Sequence, residues 1–418
     1  QVGAHARHGI LVVRSDGVLR AHARVWDHLW SLVSRFGIRC LVLVRSGELE
    51  SIPTAVRFVR HGTPHLRPED RRELWELALA DRGIPITPAV LDDVAARYAV
   101  TPGRLLEVAD ELRVGRAERG DGPVEVNDIR ETLRAITVQR LSNLATRYDS
   151  SITLDDLIYP DSVVHRLQEL VHRVKYRHRV LSAWQFADKA HESYGVSALF
   201  LGPPGTGKTA GAAALANALE IDLYIVDFSS VMSKWVGETE QNLAKVFDES
   251  EASSVGLLFD EADALFGKRS SNQDNSSDRY ANLTVNYLIQ RMESFSGLAI
   301  LTTNLETAMD DAFQRRITAR IRFPPSEETQ RQSLWRHLLP SGVRYAPDVD
   351  LGALASMYKM EGAYIRRALT RAAFRAASSG RAEPILTQRD LLWAALAEYE
   401  DMGRVAHLAS TSNSSGAA

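Results

Sequence analysis

Between residues 197 and 323, short apolar runs alternate with longer stretches of mixed polarity. The runs at 197–201, 221–226, 255–259 and 298–303 have the length and content of buried strands. The segments between them, 209–219, 240–250 and 278–292, carry apolar residues at helical spacing. A last run, 317–323, alternates apolar and polar positions and predicts a closing strand. Strands alternating with helices predict a parallel sheet covered on both faces. After Pro324-Pro325 the pattern turns helical as far as about 404, which predicts a second, smaller lobe. The tail at 405–418 is small and polar and is predicted to be disordered.

Part of this pattern occurs twice. Leu74-Trp75 recurs as Leu334-Trp335, 260 positions on, and Leu91, Ala95 and Tyr98 recur as Leu351, Ala355 and Tyr358 at the same offset. Gly103 pairs with Gly362 after a slip of one residue, and Asp128-Ile129 pairs with Asp390-Leu391. Upstream, LVVRSDGVL at 11–19 stands where LLFDEADAL stands at 257–265, and LVLV at 41–44 where ILTT stands at 300–303. Ordered matches of this kind predict two copies of one module. The first copy is the back part of a module whose front is expected before Gln1. The expected division is a remnant α/β domain at 1–64, its helical lid at 65–148, a complete α/β domain at 149–338, its lid at 339–404, and the tail. A helical stretch is expected to run to about Tyr148.

The candidate chemistry lies in the second copy. Gly202-Pro203-Pro204-Gly205-Thr206-Gly207-Lys208-Thr209 follows a predicted strand and opens a predicted helix, the setting a phosphate-binding loop requires. Backbone N–H groups of such a loop point at phosphate oxygens, and the helix N-terminus adds partial positive charge. Lys208 is expected to reach the β and γ phosphates of ATP, and Thr209 to ligate Mg²⁺. The fold class is therefore α/β of the P-loop NTPase kind, a parallel sheet between helices plus an α-helical lid, preceded by the back part of a degenerate copy. Leu257-Leu258-Phe259 delivers Asp260 and Glu261 to the same end of the sheet. Asp260 is the expected Mg²⁺ partner and Glu261 the general base for the attacking water. Asp263 reads as a solvated acidic cap. Asn304 ends the next strand, where an amide could orient the water or the γ-phosphate, or simply form a turn. Arg315-Arg316 fits a solvated basic turn or, in a ring, a pair reaching a neighbour's γ-phosphate. Trp235, flanked by Lys234 and Val236, fits either a core position or an exposed loop. The segment 267–282 reads as a polar loop before a helix.

In the first copy, Arg14 and Ser15 occupy the places of Asp260 and Glu261. A cation and a hydroxyl cannot do the work of two carboxylates, so the first module is expected to be catalytically dead.

Composition narrows the function class. The 50 Lys and Arg nearly balance the 53 Asp and Glu, for a net charge of -3, which argues against a general nucleic-acid binder. No apolar run reaches the roughly 20 residues of a spanning helix, so membrane insertion is not expected. The single cysteine, Cys40, excludes an internal disulfide framework and fits a reducing cytoplasm. No H-E-x-x-H occurs, so no zinc protease is evident.

The order LFLGPPGTGKT, SKWVGETEQNL, LLFDEADALFGKR, ILTTN, AFQRR resembles the AAA ATPases, in particular the clade of katanin, spastin and the tandem segregases. The resemblance covers 151–404, with a weaker echo over 9–147. It implies a homo-oligomer, a hexamer, that hydrolyses ATP with Mg²⁺ and remodels protein substrates through a pore. It implies that Arg315 and Arg316 act on a neighbour's ATP, that Lys234, Trp235 and Val236 form the first pore loop, and that 267–282 holds the second. Gly362 and Ala363 would lie near the adenine, and Arg366 is a candidate lid sensor. LDDLIYP, DRYAN and the tandem layout resemble a bacterial group with a degenerate first module, some members of which accompany phage-tail-like contractile injection systems. A nucleotide-gated assembly scaffold is the competing reading.

Overall fold

The computed structural model describes residues 66–119, 122–180, 195–232, 238–263, 276–304, 316–340, 342–378 and 385–403. It also describes 11–14, 31–33 and 40–43, with single positions at 28, 35, 59 and 184. The chain divides into two units, Gln1–His65 and Leu66–Ala418.

In the first unit, β1 (Leu11–Arg14) pairs in parallel with β2 (Cys40–Leu43), Leu11 opposite Cys40 and Val13 opposite Val42.

The second unit opens with four helices: α1 (Pro68–Ala80), α2 (Pro88–Arg97), α3 (Pro102–Arg119) and α4 (Val126–Leu141). Proline at N1 suits each of the first three, because that position has no N–H to lose. Trp75, Leu79, Leu91, Val94, Leu105, Val108 and Ile129 fill their common core. The chain then becomes extended. β3 (Ala145–Tyr148) pairs antiparallel with β5 (Leu223–Val226), so these four residues belong to the sheet and the predicted helical stretch to Tyr148 stops short of them.

After α5 (Asp161–His178) come β4 (Val196–Leu201), α6 (Lys208–Ala218) and β5. A short α7 (Phe228–Val231), α8 (Glu238–Ser253), β6 (Gly256–Phe259), α9 (Ser276–Ser294), β7 (Leu298–Thr303) and β8 (Ala319–Arg322) complete the domain. The strand order is β3-β5-β6-β7-β4-β8, parallel except for β3. Each sheet face is buried. Leu257, Phe259, Ala299 and Leu301 face α8 and α9, while Leu258, Leu298 and Ile300 face α5 and α6. That two-sided burial is why these strands read as continuous apolar runs. α9 begins at Ser276, so 276–282 is helical rather than loop.

Among the described residues, the last four helices are α10 (Glu328–His337), α11 (Leu351–Met357), α12 (Gly362–Ala377) and α13 (Gln388–Asp401). Trp335 on α10 is fully buried among Leu354, Ile365, Ala368 and Leu391, so this lobe starts at 328, not at the expected 339. The two helical lobes match in detail. Arg71 donates from Nε to the Ala95 carbonyl and from Nη1 to that of Leu66, and Arg331 does the same to Ala355 and Ser326. Single parallel bridges, Ile86 to Val124 and Tyr345 to Leu386, close both lobes. Buried Leu105, Val108 and Ala109 stand 260 positions before buried Ile365, Ala368 and Leu369, so the slip proposed at Gly103 is not needed. The pairing of β1 with β2 also repeats that of β6 with β7: Leu11 faces Cys40 as Leu257 faces Ala299.

The first lobe is docked on the sheet domain. Leu141, Leu144 and Ala145 enter the core around Phe259 and Leu301. Arg134 holds Asp222 with two hydrogen bonds of 2.6 Å, and Arg130 and Arg147 approach the same carboxylate at 3.8 and 3.7 Å. Buried Arg104 pairs with Glu249 on α8, and the Thr101 N–H donates to the Ala252 carbonyl at its end.

Candidate active site

The glycine-rich loop leaves β4 at its C-terminal end and runs straight into α6. Two glycines are dictated by geometry. A Cβ at Gly202 would lie 2.2 Å from the Phe323 carbonyl oxygen. Gly207 sits at φ 89°, ψ 23°, a left-handed conformation that an L side chain resists, and a Cβ there would strike the Tyr159 hydroxyl.

Lys208 is buried, and its ammonium uses its three donors. It donates to the carbonyls of Gly202 (2.8 Å) and Pro203 (2.9 Å) and to the amide oxygen of Asn304 (2.8 Å). Burial lowers its pKa, and the charges of Asp260, Asp263 and Glu261 pull it part of the way back. Thr206, also buried, donates to the Pro203 carbonyl at 2.9 Å.

Thr209, in the first turn of α6, donates to the Asp260 carboxylate at 3.0 and 3.2 Å. Thr302 on β7 donates to the same group at 2.5 Å. Glu261 is exposed and takes φ 51°, an uncommon conformation for a residue with a side chain. Its N–H is held by the Thr302 hydroxyl at 3.0 Å, and the next N–H, of Ala262, donates to the Thr302 carbonyl. That turn brings Asp263 against β7. Asp263 accepts from the Thr303 hydroxyl, from the Asn304 N–H at 2.9 Å and from the Asn304 Nδ2 at 2.8 Å. It is half-buried and fully engaged, which corrects its reading as a solvated cap.

Most of these groups line one cavity of about 420 Å³, with Asp263 behind Asn304 and outside the lining. Its walls include Pro204, Gly205, Thr206, Gly207, Lys208, Thr209, Asp260, Glu261, Thr302 and Asn304 on the sheet side. Gly362, Ala363 and Arg366 close it from α12, where the Ala363 N–H reaches the Gly205 carbonyl at 3.4 Å. Ile152, Leu157, Ile158 and Tyr159 supply an apolar wall that the motifs did not reveal. The lining thus combines the Lys208 ammonium and the carboxylates of Asp260 and Glu261 with the apolar side chains of Ile152, Leu157 and Ile158. A polyphosphate with a planar base attached likewise combines charged and apolar parts.

Arg316 is exposed, with Nε 3.4 Å from a Glu293 carboxylate oxygen. Arg315, the trio Lys234, Trp235 and Val236, and 267–275 lie outside the described residues.

Residues 198–325 match the family described as ATPase family associated with various cellular activities (AAA). The chain contains an AAA ATPase domain. Cell division protein C of Sulfolobus acidocaldarius is 33% identical over 203 residues, 45% of this chain and 54% of that protein. The ATPase family AAA domain-containing protein FIGL1 of Arabidopsis thaliana is 32% identical over 176 residues, 40% of this chain and 25% of that protein. Human vacuolar protein sorting-associated protein 4A is 33% identical over 170 residues, 39% of this chain and 38% of that protein. The AAA domain is therefore shared, while the chain spans only about a quarter to a half of these relatives. No helix among the described residues is long and apolar enough to cross a membrane.

Proposed function

We propose that the chain hydrolyses ATP to ADP and phosphate, assembles into a homo-hexameric ring, and uses the cycle to remodel or unfold protein substrates through a central pore. The observation that carries this reading is the convergence of Lys208, Thr209, Asp260, Glu261 and Asn304 on one cavity at the carboxyl end of the sheet.

Each residue has a distinct task. Lys208 exchanges its carbonyl and amide partners for phosphate oxygens. The Thr209 hydroxyl and Asp260 carboxylate are adjacent hard oxygens, a donor set that fits Mg²⁺, which keeps water and phosphate as its other ligands. Bound there, Mg²⁺ would neutralise charge on the β and γ phosphates. Glu261 takes the proton of the attacking water, and Asn304, fixed by Asp263, orients that water or the γ-phosphate. Arg315 and Arg316 serve the neighbouring subunit's site, and Lys234, Trp235 and Val236 grip the substrate. The relatives' printed names, cell division and vacuolar protein sorting, support work on protein assemblies. The fixed first lobe favours a second reading, a nucleotide-gated scaffold. The repeat of one module supports the likeness to bacterial tandem ATPases of contractile injection systems.

The test is ATP hydrolysis per subunit against protein concentration, beside an Arg315→Ala/Arg316→Ala variant. A rate that rises with concentration only in the wild type supports a shared site. Equal, concentration-independent rates would overturn the arginine roles and favour the scaffold. In a remodelling assay, Trp235→Ala should keep hydrolysis and lose substrate work.

A further inference from the structure

The phosphate loop is gripped at both ends by aromatic residues that touch each other. At the start, the Phe323 carbonyl abuts Gly202 so closely that no side chain fits there. At the end, the Tyr159 hydroxyl donates to the Gly207 carbonyl at 2.6 Å. That carbonyl already accepts the Gly211 N–H at 2.9 Å, the first helical bond of α6. The two rings meet edge to face at 5.2 Å and 85°, and Phe323 packs in turn on Phe200 of β4 at 5.0 Å. Phe323 follows β8 and Tyr159 precedes α5, so neither belongs to the loop they hold.

We propose that the Tyr159 hydroxyl is a positioning group for nucleotide binding: it holds Gly207 in its left-handed conformation and so keeps Lys208 and the first N–H groups of α6 aimed at the phosphates. This rests on the ATP reading above. A packing role alone would need only the ring. A buried hydroxyl is costly without a partner, and here its partner is the residue whose conformation ends the loop. Burial also raises its pKa well above the ordinary tyrosine value, so it remains a donor through the physiological range. Ile158, its neighbour, lines the same cavity, which places the clamp and the apolar wall on one short segment.

Tyr159→Phe separates the two roles, because it keeps the ring and removes the donor. ATP and ADP binding to the full chain is measured by titration calorimetry, with steady-state hydrolysis and a thermal melt. The expected result is a Kd and KM raised about 3- to 10-fold, with kcat within about twofold of wild type. Tyr159→Leu, which also loses the ring, should in addition lower the melting temperature. A Tyr159→Phe chain that binds ATP within about twofold of wild type, beside a Lys208→Ala chain that does not bind, overturns the proposal and leaves the site reading intact. So does a Tyr159→Phe chain without a thermal transition, since the hydroxyl would then be a folding group. A wild-type chain that binds no ATP overturns the site reading, and the proposal with it.

Discussion

The Lys208 ammonium donates to the Asn304 amide oxygen at 2.8 Å, and this bond links the loop after β4 to the end of β7. The other half of that amide donates to Asp263, so its orientation is determined from both sides. Asp263→Asn removes the acceptor that distinguishes the two halves and lets Asn304 turn over. We expect kcat to fall about 10-fold or more with little change in KM, because the misplaced group acts on the reacting phosphate rather than on binding. Steady-state kinetics against ATP check this.

Glu261→Gln should separate binding from chemistry. The substitution keeps the size of the side chain and leaves Asp260, Thr209 and Lys208 untouched. We expect ATP to bind within a few-fold of wild type while hydrolysis drops on the order of 100-fold, through loss of the base. Single-turnover kinetics beside a binding titration measure both.

The buried lysine makes a prediction about pH. Burial lowers the Lys208 pKa in the folded chain. Between that lowered value and the ordinary lysine value, the unfolded chain holds more protons at this group than the folded one. Stability from this group therefore rises as pH climbs through that window, and is least below it. Lys208→Met, which cannot titrate, should flatten this part of the curve. Urea midpoints of the nucleotide-free chains across the alkaline range test the sign.

Asp222 gathers Arg130, Arg134 and Arg147 at the joint between the first helical lobe and the sheet. Asp222→Ala should destabilise the second unit by about 1.5–3 kcal/mol, the range for hydrogen bonds to charged groups. Arg134→Ala on top of it should add little, since the pair is already broken. A double-mutant cycle in urea gives the coupling, and additive effects would remove Arg134 as the main partner.

Much of the site is legible in sequence because its parts are local. Gly202 to Gly207 form one continuous loop that leads directly into Lys208 and Thr209 of α6, and Asp260 and Asn304 follow apolar runs whose burial on both faces makes them easy to read. Asp263, Thr302 and Tyr159 are different. Asp263 meets Asn304 only because β6 and β7 pair in a particular register, Phe259 opposite Leu301, and because Glu261 turns the chain back at a positive φ. Tyr159 meets Gly207 across 48 positions of sequence. Such pairings follow from topology, which periodicity does not encode. β3 was hidden for a related reason: four residues are too few to show a period, and they become a strand by pairing with β5. The end of the sheet domain is hard to read for the same reason: α10 looks like any amphipathic helix until Trp335 finds its core.

The docking of the first lobe changes what counts as a part. In the second lobe, Glu361 and Tyr364 face the phosphate loop at Gly205. Their counterparts 260 positions earlier, Thr101 and Arg104, are bound instead to the far end of α8. The edge that faces the phosphate loop in one lobe is bound to α8 in the other. One repeat cut at a boundary near 149 is then expected to lose part of its support. A cut there would strip Leu141 and Ala145 from the core of the sheet and leave Asp222 and Glu249 without their arginines. A piece begun at Leu66, where the second unit begins, keeps these contacts. The first helical lobe thus serves as part of the wall of the sheet domain.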